Sequence, residues 1–200
     1  MATKSISLIV HRALDVKSWL LRPPTAKEAR PGRCPWCHCA SRPVGGALGL
    51  HGHGRRDRQI LGPPEVNAVS TMTIIACQRY LCTSCGAVVM VVPRGIEPRR
   101  HYGRAAICLA LALWAWAGQP TTMVRTRVCA WPGRETTSWR TLARWGAAVA
   151  SGSWAWCRAA GGPNARAAAG RAAQIAAGSA PTTTAVPIWE LAYAGGAALI

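Results

Sequence analysis

The longest β-like pattern in the chain runs from residue 71 to residue 93. Two runs rich in branched residues, TMTIIACQRYLC and AVVMVV, lie on either side of the corner CTSCG. Two such runs around a tight corner are typical of a β-hairpin. The pattern therefore predicts a hairpin with a cysteine pair at its tip.

After Pro98 the pattern becomes helical. Residues 105–117 are apolar on all sides, but this run is shorter than the roughly 20 residues that a membrane-spanning helix needs. It therefore predicts a buried helix, which the following glycine and proline would end. Residues 120–129 predict a second, short helix that stops before the turn Trp131-Pro132-Gly133.

A third helix is predicted over residues 136–150, with Thr136 or Thr137 as its N-cap. Apolar residues recur there at steps of three and four, which places them on one inward face. The inward face comprises Trp139, Leu142, Trp145 and Val149, and the opposite face Thr137, Arg140, Thr141 and Arg144. Three helices with arginines on the third favour a helix-turn-helix.

Two CxxC pairs, Cys34 with Cys37 and Cys82 with Cys85, carry the clearest chemistry in the sequence. A CxxC turn directs two thiolates at one ion, and two such turns complete the closed tetrahedral site of a structural zinc. Gly86 after the second pair suits a left-handed turn. The four cysteines therefore predict one structural Zn²⁺.

Alternative uses of these cysteines remain open. A ligand exchange with Cys39, Cys77, His51 or His53 is one, although Cys77 also fits a buried strand position. The sequence Cys34-Pro-Trp-Cys37-His38 matches the pattern for covalent haem attachment. A thioredoxin-like redox pair would need a βαβ context, which the sequence does not predict.

The predicted fold class is α+β, in four consecutive parts. Residues 22–33 contain three prolines and read as a linker, and the sequence after residue 151 has little periodicity. The parts are an N-terminal segment and linker (1–32), a zinc ribbon (33–103), a helix-turn-helix-like region (104–150) and a loosely ordered Ala/Gly-rich tail (151–200).

The charge of the chain favours a polyanionic partner. There are 24 Lys and Arg against 7 Asp and Glu, a formal net charge of +17. Nucleic acid is the expected partner and an anionic membrane surface the main rival. The CxxC usage and the lack of a signal-peptide pattern predict a cytoplasmic protein.

Basic residues near the knuckles and on the third helix are the candidate nucleic-acid contacts. Those near the knuckles would neutralise phosphates and those on the helix would reach base edges, whereas an ordinary solvated basic face is the plain alternative. Trp36 is a candidate for stacking on a single strand. The arginines are Arg55, Arg56, Arg58, Arg94, Arg99, Arg100, Arg104, Arg140 and Arg144.

The order of four segments, RCPWCHC, HGHGRRDRQILGP, QRYLCTSCG and VVPRGIEPRRHYGR, resembles the zinc-binding N-terminal region of bacterial insertion-sequence transposases and related stand-alone domains. The resemblance covers about residues 33–146. It implies a bacterial, nucleoid-associated location and the four cysteine ligands, and it places Arg140 and Arg144 near a DNA duplex. The sequence departs from the family at two places. His38-Cys39 stands where the family has Gly after the first knuckle, and the Trp131-Pro132-Gly133 insertion lengthens the turn before the third helix.

The sequence lacks the carboxylates that a transposase needs for cleavage. Three carboxylates hold two metal ions in such a site, but only Glu135 and Glu190 follow residue 104, and Asp15 and Asp57 are the only aspartates. The sequence therefore predicts a non-catalytic protein. Together with the charge and the resemblance, it predicts binding to double-stranded DNA and no membrane partner. Alternatives are an RNA- or ribosome-binding ribbon, a protein-interaction module and a truncated transposase remnant.

Overall fold

The computed structural model describes residues 7–131, 139–182 and 185–199. The chain divides into two compact units. The first comprises Met1–Gln59 and Ile74–Arg94, and the second comprises Ile60–Thr73 and Gly95–Ile200. The N-terminal segment thus belongs to the same unit as both CxxC pairs.

A four-stranded mixed sheet is built from the first half of the chain. Its strands are β1 (Ser7–Arg12), β2 (Leu50–Gly62), β3 (Thr71–Cys82) and β4 (Val88–Pro93), in the order β1-β4-β3-β2. Strand β1 is parallel to β4, and β3 is antiparallel to β4. The predicted hairpin with a cysteine pair at its tip is therefore confirmed.

Strand β4 lies between β1 and β3 and is buried along almost its whole length. Val89, Val91 and Val92 are fully buried, which explains why this run is apolar rather than alternating. A short helix, α1 (Val16–Leu21), adds a buried Trp19 whose indole N–H donates to the Ala76 carbonyl at 3.0 Å.

The segment interpreted as a linker packs against β3. The Gln78 side chain donates to the Pro24 carbonyl at 3.2 Å, and the Tyr80 hydroxyl donates to the Ala26 carbonyl at 2.7 Å. The Arg30 guanidinium lies 5.7 Å from the centre of the Tyr80 ring. These contacts make the segment part of the first unit's fold, so the linker interpretation was wrong.

The second unit is helical. Its α-helices are α2 (Arg104–Ala115), α3 (Thr121–Val128), α4 (Arg140–Ala150), α5 (Ala165–Gly178) and α6 (Ile188–Ala198), with a 3₁₀ segment at Ala155–Ala160. Helix α2 is central and contacts the other four, and it is buried from Ala106 to Leu113. The predicted buried helix and the short helix after it are confirmed.

The inward face predicted for the third helix is also confirmed. Trp139 just before α4 and Leu142, Trp145 and Val149 within it are all at most 6 % exposed. Thr136 and Thr137, the predicted N-cap residues, lie outside the described residues.

The helix-turn-helix interpretation stays a prediction. Helix α3 ends at Val128 and α4 begins at Arg140, and residues 132–138 between them lie outside the described residues. Within the described part of the chain, both helices pack against α2.

The predicted loosely ordered tail is wrong, because α5 and α6 pack closely against α2. Their contact surfaces consist of small residues. The hydrophobicity of the buried positions in the sequence therefore differs little from that of the exposed positions. Buried examples are Ala168, Ala169, Ala172, Ala173, Ala176 and Ala192. Among the described residues, no helix combines the length and the apolar character that crossing a bilayer requires.

Candidate metal centre and basic surfaces

The four cysteines of the two CxxC pairs come together in the first unit. Their Sγ atoms all lie within 4.8 Å of one another. The Sγ atoms of Cys34 and Cys85 are 3.8 Å apart, and those of Cys37 and Cys82 are 3.7 Å apart. Tetrahedral zinc with Zn–S bonds of about 2.3 Å requires sulfur–sulfur distances of about 3.8 Å. The donor set and its spacing therefore fit one zinc ion.

The first knuckle is a tight turn closed by two backbone hydrogen bonds. The Cys34 N–H donates to the Cys39 carbonyl and the His38 N–H donates to the Cys34 carbonyl, both at 3.0 Å. His38 takes a left-handed conformation with a φ of 60°. A histidine thus occupies the position where the resemblance to transposase N-terminal regions implied glycine.

The second knuckle repeats this geometry. The Cys82 N–H donates to the Ala87 carbonyl and the Gly86 N–H donates to the Cys82 carbonyl, both at 2.9 Å. Gly86 has a φ of 71°, as its position predicted. The two knuckles are therefore equivalent turns, each of which supplies two of the four thiols.

The groups around the Cys82 thiol favour its ionisation. Burial opposes its ionisation, but the Cys85 N–H, the Cys39 and Cys85 thiols and the Ser84 N–H outweigh that cost and lower the pKa of Cys82 to about 6. Zinc binds thiolates rather than thiols. The surroundings of Cys82 therefore favour the thiolate, which is the form that zinc binds.

The spare ligands that the sequence left open are placed differently from the four. The Cys39 Sγ lies 3.4 Å from the Cys82 Sγ but outside the mutually close group. Cys77 is buried, and burial raises the pKa of its thiol to about 11. His51 and His53 are exposed on β2. Within the described part of the chain, no other group of three or more such side chains is suited to a metal.

Of the candidate arginines in the first unit, Arg55 and Arg56 are exposed on β2, which is an edge strand of the sheet. Arg58 is half-buried. Arg94 forms an ion pair with Asp15 at 3.6 Å, which neutralises part of its charge. The first two are therefore the most accessible to a polyanion.

In the second unit, Arg99 is exposed, while the Arg100 guanidinium lies 5.7 Å from the centre of the Trp154 ring. Arg104 is only 3 % exposed and forms an ion pair with Glu97 at 3.1 Å. Its guanidinium also donates to the Leu199 carbonyl at 2.8 Å. The prediction that Arg104 contacts nucleic acid was therefore wrong, because its charge is satisfied inside the unit.

Helix α4 leaves Arg140 and Arg144 exposed, on the side away from its buried residues. Their placement is compatible with a ligand contact. The base-reading role of these two arginines stays a prediction.

Sequence reasoning missed two exposed arginines, Arg33 and Arg42, that flank the first knuckle. Their closeness to the CxxC pair was the available signal. Trp36 is 55 % exposed, as its position in the knuckle suggested. Trp116, which lies within the run 105–117 predicted to form a buried helix, is 50 % exposed. Its indole N–H nevertheless donates to the Gly170 carbonyl at 3.0 Å.

Comparisons of the chain with protein-family models, with curated proteins and with solved structures found no match.

Proposed function

We propose that this protein is a non-catalytic nucleic-acid-binding protein whose first unit is held together by one structural zinc ion and whose target is double-stranded DNA. The observation that supports it is the charge of the unit that contains the four cysteines. That unit has thirteen Lys and Arg residues against three Asp and Glu residues. Such an excess attracts a polyanion and releases its counterions on binding.

The zinc ion would be structural because all four tetrahedral positions are taken by Cys34, Cys37, Cys82 and Cys85. A closed site of this kind has no position for a reacting water. When bound, the ion supplies folding free energy by tying the two knuckles together. Removing it should therefore loosen the first unit rather than stop a reaction.

The proposed phosphate contacts are the accessible arginines near the knuckles and after β4. They comprise Arg55, Arg56, Arg58, Arg99 and Arg100, with Arg94 weakened by its ion pair. Arg140 and Arg144 are the proposed base contacts. The resemblance to transposase N-terminal regions supports DNA as the target, and the carboxylate-poor sequence supports the absence of catalysis.

The test measures DNA affinity and metal content on the zinc-loaded full chain. We expect one zinc per chain and an affinity for duplex DNA that falls steeply with salt concentration. The double variant Arg55→Ala/Arg56→Ala should reduce the slope of log affinity against log salt by about 2 if each arginine neutralises one phosphate.

A charge-matched control removes two arginines outside the proposed contacts, as Arg22→Ala/Arg158→Ala. Arg22 already pairs with Glu28 at 3.1 Å, and Arg158 is exposed in the second unit. An equal change of slope in both double variants would show a diffuse charge effect instead of a site. If a structured RNA binds more tightly than duplex DNA in competition, the target is RNA and not DNA. If the protein binds nucleic acid only weakly even at low salt, a protein-interaction module is favoured.

A further inference from the structure

The first knuckle forms the tip of a small hairpin, residues 32–42, that carries exposed groups the metal does not use. Arg33 pairs with Ala40 in an antiparallel bridge, and the Ser41 N–H donates to the Gly32 carbonyl at 2.9 Å. Together with the bond between Cys34 and Cys39, these contacts give the hairpin a defined backbone. We call it the first-knuckle hairpin.

Trp36 stands at the tip of this hairpin with 55 % of its surface exposed. It lies between Cys34 and Cys37, so a bound metal would fix the backbone on both sides of it. Pro35 further restricts the turn. A large aromatic ring that is carried on a fixed backbone and left open to solvent is a platform on which a flat group can stack.

Two arginines lie on the same hairpin as this ring. Arg33 and Arg42 are both exposed. No acidic residue occurs between Glu28 and Asp57 in the sequence. The hairpin therefore combines an open aromatic face with exposed guanidinium groups, which is the combination that binds bases and phosphates of a single strand.

We propose that the first-knuckle hairpin binds single-stranded DNA, with one base stacked on Trp36 and phosphates contacted by Arg33 and Arg42. This rests on the proposed function and adds unpaired bases to the target. A duplex keeps its bases stacked on each other, so the indole face can be used only where the strands are separated. Such regions occur wherever a duplex is opened.

We take DNA as the target because the hairpin has no exposed hydroxyl, amide or carboxylate side chain that would recognise a 2′-hydroxyl. Such recognition needs a hydrogen-bonding side chain directed at the sugar. The only Ser, Thr, Asn, Gln, Asp or Glu between residues 32 and 42 is Ser41, which is 3 % exposed.

The test compares two oligomers of about 12 nucleotides, which lies within the usual range of single-strand sites. One is oligo-dT and the other is an abasic deoxyribose strand with the same number of phosphates. We expect the zinc-loaded full chain to bind oligo-dT about tenfold more tightly, because only that strand can stack. Trp36→Ala should abolish this preference, and Trp36→Phe should retain most of it.

Trp131→Ala is the matched control, since Trp131 is 54 % exposed but lies in the second unit. It should keep the preference for oligo-dT. Arg33→Ala/Arg42→Ala should weaken both oligomers equally and lower the salt dependence. Zinc content, measured for every variant, separates a lost stacking contact from a lost metal site.

Three outcomes would overturn the inference: a wild type without preference for oligo-dT, a Trp36→Ala protein that loads zinc and keeps the preference, or tighter binding of oligo-U than of oligo-dT. The proposed function fails separately. If duplex binding persists in such a case, only the single-strand surface is rejected. If the wild type binds neither duplex nor single strand, both are rejected.

Discussion

His38 takes in the first knuckle the same left-handed backbone position that Gly86 takes in the second, with φ angles of 60° and 71°. The N–H of each donates to the carbonyl of the first cysteine in its knuckle. Only the glycine adopts this conformation without steric cost. The two knuckles are therefore equivalent in geometry but unequal in strain.

We expect Gly86→Ala to lower the free energy of unfolding of the zinc-loaded protein by about 1 kcal/mol. The added Cβ would meet no atom within 4 Å, so only the backbone conformation is penalised. Urea unfolding measures the change. Gly32→Ala is the control, because Gly32 also has open space but no positive φ. An equal loss in both variants would contradict the argument.

Local chemistry explains what the sequence predicted well. A CxxC pair requires a tight turn, so both knuckles and the hairpin of β3 and β4 follow from short segments. The left-handed conformation of His38 was harder to predict, since a histidine by itself gives little signal for such a turn. The available signal was that the family that the sequence resembles has Gly after the first knuckle.

Long-range packing explains what the sequence predicted poorly. Arg104 was predicted to be a surface cation because only the fold brings its partners, Glu97 and the Leu199 carbonyl, next to it. Helices α5 and α6 were missed because alanine and glycine faces bury without a strong hydrophobic period. The Asn164 side chain, which accepts from the N–H groups of Arg166 and Ala167, was an available N-cap signal.

A fifth thiol borders the metal centre, and its role can be tested by stoichiometry. The Cys39 Sγ is 3.4 Å from the Cys82 Sγ, yet it is not part of the mutually close group. We therefore expect Cys39→Ser to keep one zinc per chain, whereas Cys82→Ser should lose the ion and unfold the first unit. A colorimetric zinc assay on purified protein measures this. Loss of zinc from Cys39→Ser would identify Cys39 as a ligand.

The buried thiol of Cys77 should make the protein sensitive to alkaline pH. Burial raises the pKa of Cys77 from 9.0 to about 11, so the folded protein favours the neutral thiol. This contribution to stability is complete below pH 9 and is lost as the pH rises through 11. The free energy of unfolding should therefore fall over that range, and fall less in Cys77→Ala. Parallel pH curves for the two proteins would contradict the assignment.

Removing Arg104 should damage the fold and not the DNA contact. The variant Arg104→Met leaves Glu97 as a buried carboxylate without its cation, at a cost of about 3 kcal/mol. Adding Glu97→Gln should recover part of that loss. Chemical unfolding measures both variants. If the Arg104→Met protein is folded and its DNA binding depends less on salt than that of the wild type, Arg104 does contact a phosphate.

Gly195 allows α6 to lie directly against α5, and this contact can be tested with one methyl group. A Cβ at Gly195 would overlap the Ala176 carbonyl oxygen and come within 3.0 Å of the Ala180 nitrogen. Both are backbone atoms, so the helices must separate to make room. We expect Gly195→Ala to destabilise the protein by about 2 kcal/mol, although alanine favours a helix over glycine.

The control for this prediction is Gly178→Ala at the end of α5. Its Cβ would meet nothing within 4 Å, so only the helix preference acts and stability should stay equal or rise. Limited proteolysis gives an independent measure, because cleavage between α5 and α6 should accelerate in Gly195→Ala and not in Gly178→Ala. Equal cleavage rates and equal thermal unfolding of the two variants would mean that α6 does not depend on this close approach, and that the region after residue 178 is held by other contacts.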